Sequence, residues 1–332
     1  MAHELETMAW TNEVPWHGLG VEVSDDLTTD EMLVKAGLDW TVSKRPLYFP
    51  KAKTDRTELK LIPNKFALTR DSDESLLDVV GDAYKPVQNH EALDFFKRFV
   101  DSGDMKMETA GSLRQGQFIW GLAKIQESFN VGGNEEDRIE GYLLLTQPHK
   151  FGFSMIAALT PIRVVCMNTM KMALGEKLGG KKGTTSGVFR MPHQRAFNEE
   201  VQKSAELALG LARQGMVELQ EAADVLSKVR MPADDLAAFF HNVANIELEE
   251  DADPDKFTRT IKTLLEAVNE APGSQLKTAE GTLWGAYNAV TYAADHILGR
   301  SEDSRVYNAW FGTTSNLKRR ALDLALDIAK AA

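Results

Sequence analysis

The stretch Met105–Ile125, MKMETAGSLRQGQFIWGLAKI, decides the fold because it is typical of two β-strands joined by a turn. Apolar residues and β-formers recur on both sides of Arg114-Gln115-Gly116, and this tripeptide places a glycine where a tight turn needs one. Strands joined by so short a connection run antiparallel. The stretch therefore predicts a β-hairpin with Arg114 on its turn.

The chain before this hairpin predicts further strands. Residues 38–50, LDWTVSKRPLYFP, alternate roughly between apolar and polar side chains, and KFALTR at 65–70 resembles a partner strand. A turn beginning at Asp71 then leads into the apolar segment 76–80. A second hairpin is therefore predicted in this part of the chain.

A helix is predicted between the two hairpins. Asn89 is suited to cap its N-terminus, and Gly103 lies just past its end. Four apolar residues share one face of this helix: Leu93, Phe96, Phe99 and Val100.

After the Met105–Ile125 hairpin, residues 141–170 predict two or three more strands. The breaks between them fall at Gln147-Pro148-His149 and at Thr160-Pro161. The N-terminal part is thus expected to form a mostly antiparallel β-sheet of five to eight strands with a packed helix.

The composition changes after residue 195. A glycine- and lysine-rich loop, GEKLGGKKGTTSG, precedes an apolar stripe at helical spacing that predicts one long helix, or two joined at Gly215. Pro232 is placed to begin another helix, and three more follow. We expect an α+β fold in two parts, a sheet domain with basic loops at 1–195 and an acidic helical region at 196–332.

Length and composition limit the class of protein. A chain of 332 residues can bury a large core, and no apolar run is long enough to cross a membrane. The first residues show neither the basic region nor the apolar core of a secretion signal, so we expect none, and the single cysteine, Cys166, cannot form an internal disulfide. We expect Cys166 to be a buried thiol and the protein to be cytoplasmic, with no contact to a membrane.

Charge is distributed unevenly along the chain. The net charge is −11, yet residues 41–70 hold eight Lys or Arg and two acids, and residues 161–195 hold seven and one. Residues 196–332 hold 14 basic and 22 acidic side chains. Two basic windows in an acidic chain require an explanation, either as sites for an anionic partner or as solvated surface.

Motifs that carry catalysis are missing from the sequence. The segment PWHGLG at 15–20 lacks the strand and helix that a phosphate-binding glycine loop needs, so we interpret it as a turn beside an aromatic anchor, with no role for His17 as a base. No histidine pair has metalloprotease spacing, and no Gly-x-Ser-x-Gly segment occurs. We expect no cofactor, no metal and no enzymatic activity.

Aromatic and basic residues together favour binding of single-stranded nucleic acid. Cations neutralise phosphates, and aromatic rings offer stacking surfaces to unpaired bases. Phe189 and Trp120 are further stacking candidates. The predicted nucleic-acid-binding residues are Lys44, Arg45, Tyr48, Lys51, Lys53, Arg114, Arg163, Lys171, Lys177, Lys181, Lys182, Arg190 and Arg195.

Two features of the C-terminal part are interpreted as structural. Trp284 and Tyr287 share a helix face, which favours core or subunit packing over a binding role. Asp295-His296 resembles a metal-ligand pair, but a histidine on a helix surface explains it more simply.

The chain resembles the phage/plasmid-like protein family, a domain of unknown function carried by phages, prophages and plasmids. The motifs that support the resemblance run from residue 1 to about 325 of this sequence: MAHELETMAW, PWHGLG, AGLDWTVSKRPLY, YKPVQNHEALDFF, ETAGSLRQGQFIWGLAKI, YLLLTQPH, TPIRVVCMNTM and LWGAYNAVTYAADH.

The resemblance implies a gene of a mobile element, and phages commonly encode single-strand annealing proteins. These assemble into rings or filaments and hold single-stranded DNA in a basic groove without ATP. We therefore expect an ATP-independent annealing protein that acts as a homo-oligomer with single-stranded DNA as its partner. Two alternatives stay open: an interaction or anti-defence protein that binds a host protein or small ligand, and a metal-dependent nuclease of unrecognised type.

Overall fold

The computed structural model describes residues 5–12, 19–51, 58–166, 168–169, 188–191, 199–246, 258–299 and 313–332. The strands are β1 Leu5–Trp10, β2 Val21–Glu22, β3 Val42–Pro50, β4 Leu59–Arg70, β5 Leu76–Gly81, β6 Met105–Leu113, β7 Phe118–Asn130, β8 Arg138–Pro148, β9 Met155–Leu159, β10 Ile162–Arg163, β11 Asn168–Thr169 and β12 Val188–Met191. The α-helices are α1 Thr29–Lys35, α2 Asn89–Asp101, α3 Glu199–Leu226, α4 Ala233–Ala244, α5 Arg259–Glu270, α6 Leu283–Tyr292 and α7 Thr313–Ala331. The fold is α+β, with the sheets in the N-terminal half and the helices mostly in the C-terminal part.

Within the described residues the larger sheet has nine strands and is centred on the predicted β6–β7 hairpin. Its order is β11-β10-β8-β7-β6-β1-β2, while β9 pairs with both β8 and β12. Every pairing is antiparallel except that of β1 with β2. The turn residues Arg114, Gln115 and Gly116 all adopt positive φ, at 53°, 56° and 83°. The prediction of a hairpin with this turn is confirmed.

A second, three-stranded sheet forms from β3, β4 and β5. Its antiparallel pairings confirm the predicted second hairpin, whose strands meet from Val42 opposite Arg70 to Pro50 opposite Leu59. The expectation of one sheet of five to eight strands is wrong. Among the described residues, β3, β4 and β5 pair only with one another, so the strands divide into sheets of nine and three.

Helix α2 packs on the larger sheet where β7 has a glycine. A Cβ added at Gly121 would lie 2.9 Å from the ring of Phe96, so the glycine admits this buried ring. The N-cap of this helix is Gln88, whose backbone N–H donates to the carboxylate of Glu91 at 2.7 Å, so the predicted cap at Asn89 is wrong by one residue. The Asn89 amide instead donates to the carbonyl of Leu38 at 2.9 Å.

The C-terminal helices share a core with the sheet. Helix α3 runs without a break through Gly215, and its buried side includes Leu219 and Leu226. One continuous cluster of buried apolar residues extends from Ala9 in β1 to Ala325 in α7. The sequence boundary at 195 therefore does not separate two independent cores.

The other face of the larger sheet is also apolar. Phe118, Trp120 and Leu122 alternate with core residues along β7 and form a second buried cluster with Tyr142 of β8. A strand buried on both faces has a nearly continuous apolar sequence. This accounts for the run FIWGLA at the start of β7. No helix in the described parts of the chain is long and apolar enough to span a bilayer.

Candidate nucleic-acid interface

Three of the predicted DNA-binding residues, Lys44, Arg45 and Tyr48, lie on β3, and Lys51 directly follows it. The three cations among these residues have partners within the protein. Lys44 Nζ donates to the carbonyls of Asp82 at 2.7 Å and Tyr84 at 3.1 Å and lies 4.5 Å from the ring centre of Phe66. Lys44 is therefore engaged in holding β3 against the chain that follows β5.

Arg45 and Lys51 are paired but exposed. Arg45 forms ion pairs with Glu74 at 3.0 Å and Asp71 at 3.6 Å, and Lys51 pairs with Glu58 at 2.8 Å. Exposed pairs of this kind contribute little to stability. These two cations stay accessible to a phosphate.

The β3–β4 hairpin extends beyond a bulge between Pro46 and Tyr48 as a ribbon that we call the arm, residues 46–51 and 58–65. Cross-strand neighbours share a face, so Tyr48 and Leu61 lie on one side, and Phe49 and Lys60 on the other. All four are exposed. The arm thus presents side chains to solvent on both faces.

A second surface brings Arg114 together with exposed aromatic rings. The β8–β9 turn carries Phe151 and Phe153, which are 66% and 41% exposed. The Phe153 ring meets Phe118 edge-on at 5.1 Å between ring centres, and the Arg114 guanidinium lies 5.9 Å from the centre of Phe118. Lys150, beside them, donates to Gln117 Oε1 at 3.3 Å. We call Arg114, Phe118, Lys150, Phe151 and Phe153 the aromatic patch.

Backbone geometry and the smaller sheet hold this patch in place. Gly152 adopts φ +85°, which allows the tight turn between the two phenylalanines. The Asp78 carboxylate of β5 accepts the N–H of Phe151 at 2.6 Å, and Gln117 donates to the Leu77 carbonyl at 2.9 Å. The patch therefore lies where the two sheets meet, and its rings project from an ordered turn.

Sequence reasoning found Arg114 but missed Phe151 and Phe153. The signal was the segment Lys150-Phe151-Gly152-Phe153, in which two large rings flank a turn glycine. Rings on a turn are exposed more often than rings on a strand, because connecting segments run over the surface. The sequence analysis includes this segment in the strand-forming stretch after the break at Gln147-Pro148-His149 and gives it no binding role.

Arg163 is withdrawn from the predicted interface. Its side chain is 1% exposed, and its Nε donates to Asp137, itself fully buried, at 2.5 Å. Asp137 also accepts from Thr278 Oγ1 at 2.5 Å and from the Trp284 indole at 3.0 Å. Through Asp137, Arg163 therefore links β10 of the larger sheet to Thr278 and Trp284 in the helical part.

Trp120 is likewise unsuited to stacking on a base. It is 3% exposed, and its indole N–H donates to Thr109 Oγ1 at 3.2 Å. Its ring belongs to the second apolar face of the larger sheet. The neighbouring strands bury Trp120, and the contacts with Asp137 and the segment before α6 bury Arg163. Both corrections therefore depend on contacts between segments that are distant in the sequence.

The other predicted residues are only partly covered by the structure. Arg190 and Phe189 lie in β12, opposite Ile156 and Ala157, and only their backbone is described. Cys166 lies in a short 3₁₀ turn, and its burial is not described. The predicted residues outside the described parts of the chain are Lys53, Lys171, Lys177, Lys181, Lys182 and Arg195, together with His17 and the glycine loop at 175–187.

The structural interpretations of the remaining motifs are confirmed in part. Trp284 and Tyr287 are fully buried with ring centres 5.7 Å apart, as core packing predicts. Asp295 is buried and accepts from Lys318 Nζ at 2.6 Å, while the half-buried ring of His296 lies 4.8 Å from Tyr292. No group of three metal-ligating side chains occurs within the described residues.

The glycine at the end of PWHGLG is a turn residue, as predicted. Gly20 adopts φ +97°, and a Cβ added there would lie 3.0 Å from the carbonyl oxygen of Met8. A side chain would therefore both strain the backbone and crowd β1.

Comparison with known proteins assigns the chain to a family. The sequence profile described as Domain of unknown function (DUF932) matches residues 76–310. The chain belongs to the DUF932 family. In this DUF932 chain the matched range begins at β5, so it contains the aromatic patch and the Asp137–Arg163 pair, whereas the arm precedes it. No curated protein and no solved structure matches the chain.

Proposed function

We propose that this DUF932 chain binds single-stranded DNA as an ATP-independent annealing protein of phage or plasmid recombination and acts as a homo-oligomer. The observation that carries the proposal is the aromatic patch, in which exposed rings and two cations share one surface. Phe151 and Phe153 supply ring faces, while Arg114 and Lys150 supply positive charge next to them.

The chemistry of an unpaired strand fits this surface. Every base has a π-face, so stacking on phenylalanine is tolerant of sequence and contributes about 1–3 kcal/mol per base. Arginine and lysine neutralise phosphates and release counterions. The nearby carboxylate of Asp78 already accepts the N–H of Phe151, so its hydrogen bond shapes the turn.

Annealing imposes a further requirement, and contacts to base faces and phosphates satisfy it. Two complementary strands can pair only if the hydrogen-bonding edges of their bases stay available while the protein holds them. Contacts to base faces and phosphates leave those edges open. The resemblance to mobile-element proteins supports recombination as the context.

The test compares a patch variant with a matched control. In F151A/F153A we expect affinity for a labelled oligothymidine at low salt to fall about tenfold or more, since tenfold corresponds to about 1.4 kcal/mol. The control L76A/V79A removes exposed apolar side chains of β5 that are 60% and 41% exposed and have no rings. Fluorescence anisotropy measures both, and equal binding by the patch variant and the wild type would overturn the proposal.

The same titrations identify the cations that bind phosphate. In R114Q/K150Q the slope of log affinity against log salt is expected to shrink by about 0.7 for each phosphate of a single strand that the variant no longer neutralises. Annealing of two complementary oligonucleotides is then followed without ATP. Loss of intact oligonucleotide on adding Mg²⁺ would instead favour the nuclease alternative.

A further inference from the structure

An acidic side chain lies beside the aromatic patch. Asp78 of β5 is half-buried, and its Oδ2 lies 2.6 Å from the backbone nitrogen of Phe151. A carboxylate in this place repels the phosphates of a bound strand. Repulsion alone therefore predicts that Asp78 weakens DNA binding, whereas the hydrogen bonds of Asp78 favour the opposite effect.

Both carboxylate oxygens of Asp78 accept backbone N–H groups. Oδ2 accepts from Phe151 at 2.6 Å, and Oδ1 accepts from Val79 at 2.7 Å. Hydrogen bonds to an ionised acceptor are shorter and about twice as strong as those between neutral groups. Asp78 therefore fixes the middle of the β8–β9 turn to β5 of the smaller sheet.

The start of the same turn is fixed by other contacts. The backbone N–H of His149 donates to the carbonyl of Gln117 at 2.8 Å, and the buried His149 ring bonds through Nε2 to Asn89 Oδ1 at 2.7 Å. The amide nitrogen of Asn89 donates to two backbone carbonyls, so its oxygen accepts from His149 Nε2. The chain should therefore keep its position up to His149 when Asp78 is changed.

The turn that carries Arg114 is held from β4 of the smaller sheet. The side chain of Arg70 is 9% exposed and donates to both carboxylate oxygens of Glu6, at 2.7 Å and 3.0 Å. A Cβ added at Gly116 would overlap the Nη2 of Arg70, so the glycine allows the turn to lie against this guanidinium. The smaller sheet thus holds the two turns of the aromatic patch through different residues.

We infer that Asp78 is a positioning residue for base stacking, and that its carboxylate strengthens DNA binding although it repels phosphates. By accepting the N–H of Phe151, it holds the turn so that the exposed rings of Phe151 and Phe153 project beside Arg114 before DNA arrives. A turn that is ordered in advance costs less entropy on binding. This inference deepens the proposed function and rests on it.

Two variants of Asp78 separate the hydrogen bond from the charge. D78N and D78A both lack the negative charge, but only asparagine keeps an oxygen that can accept from the Phe151 N–H. At low salt we expect D78A to bind labelled oligothymidine about three- to tenfold more weakly than the wild type, because the freed rings must be ordered on binding. D78N should bind at least as tightly as the wild type. Equal or tighter binding by D78A would overturn the inference.

The salt dependence and a double variant show whether Asp78 acts through the rings. Arg114 and Lys150 keep their charges in D78A, so the slope of log affinity against log salt should equal that of the wild type. The loss caused by F151A/F153A should be about threefold or less in the D78A background, because rings that are not held contribute less. A loss of the same size in both backgrounds would contradict a positioning role.

Chymotrypsin tests the turn in the absence of DNA. This protease cleaves after aromatic residues, and cleavage within a folded protein requires local opening. Cleavage after Phe151 and Phe153, identified by mass spectrometry, should be about threefold or more faster in D78A than in the wild type. D78N should be cleaved at the wild-type rate. Equal rates in all three proteins would show that the hydrogen bond of Asp78 does not hold the turn.

D224A is the matched control. Asp224 of α3 is also half-buried, and its Oδ1 accepts the backbone N–H of Gly132 at 2.7 Å, just beyond the end of β7 that is opposite to the patch. D224A should change neither the DNA affinity nor the cleavage after Phe151. If D78A fails to fold by circular dichroism, D78V makes the same comparison, because valine favours a strand and has no side-chain acceptor.

The inference and the proposed function fail in different ways. A wild type without affinity for oligothymidine overturns the proposed function, while the cleavage rates still show whether Asp78 holds the turn. A wild type that binds DNA, together with a D78A variant that binds equally well, overturns the inference alone.

Discussion

The two basic windows of the chain have the same net charge of +6, and the fold places Lys51 of the first and Arg163 of the second in opposite environments. In residues 41–70, Lys51 lies at the far end of the exposed hairpin and is 68% exposed in its pair with Glu58. In residues 161–195 the first cation, Arg163, is 1% exposed and is held by a fully buried carboxylate. The difference shows that a cluster of basic residues in the sequence predicts neither whether their side chains are exposed nor which groups they bind.

The stability of the protein depends on both partners of the buried Asp137–Arg163 pair but not on both partners of the exposed Glu58–Lys51 pair of the arm. A buried charge is tolerated only when its hydrogen-bonding capacity is satisfied, and removing one partner leaves the other uncompensated. An exposed charge is solvated by water whether or not its partner is present. The following predictions measure this contrast, starting with the largest effect.

Asp137→Asn is expected to lower the free energy of unfolding by about 3–5 kcal/mol, because Arg163 keeps its charge without a counterion. The amide also cannot accept from Arg163, Thr278 and Trp284 as the carboxylate does. Urea unfolding measures the loss. The matched variant on the arm is Glu58→Gln, which should change stability by less than about 1 kcal/mol. Equal effects at the two positions would remove the contrast between the regions.

Two helical glycines extend the contrast to packing. A Cβ at Gly285, beside the buried Trp284, would lie 1.9 Å from the carbonyl oxygen of Ala279, so Gly285→Ala should destabilise by about 1–3 kcal/mol. Gly210 lies on the exposed side of α3 with open space around it, so Gly210→Ala should stabilise by about 0.5–1 kcal/mol. Thermal unfolding measures whether each variant is more or less stable than the wild type. A stabilised G285A variant would contradict the close packing around α6.

Glu140 of β8 gives the smallest expected effect. Its side chain is 15% exposed, so its burial is intermediate between that of Asp137 and that of Glu58. Burial raises its pKa, but a hydrogen bond and the charge of Lys124 Nζ at 2.6 Å, with the Tyr142 hydroxyl at 3.0 Å, outweigh burial and hold the pKa below its usual value. A lowered pKa in the folded state adds stability at neutral pH that is lost as the pH falls through that pKa.

Glu140→Gln should therefore reduce the free energy of unfolding at neutral pH and flatten its fall in acid. Urea unfolding over a series of pH values compares the variant with the wild type. The two curves should converge at the acidic end, where the wild-type carboxyl is protonated. A difference that stays constant across the series would show that the charge of Glu140 contributes nothing.

The candidate site was predictable from sequence only in its local parts. Arg114 was found because its turn chemistry lies within three consecutive residues, and Tyr48 because it lies among lysines on a strand-like segment. Phe151 and Phe153 were missed because their positions depend on contacts with Phe118 and Asp78, which are 33 and 73 residues from Phe151. No local pattern encodes that two turns and the edge of a second sheet meet.

The sequence by itself determined the elements whose causes are short-ranged. The apolar spacing of Leu93, Phe96 and Phe99 produced α2, and the glycine of Arg114-Gln115-Gly116 produced the central hairpin, because both depend on neighbours within a few residues. Only the tertiary structure decided that the strands form two sheets, that Arg163 is buried on Asp137, and that two phenylalanines project beside Arg114. These features depend on strand pairing and packing between distant segments, which fix burial after local structure has formed.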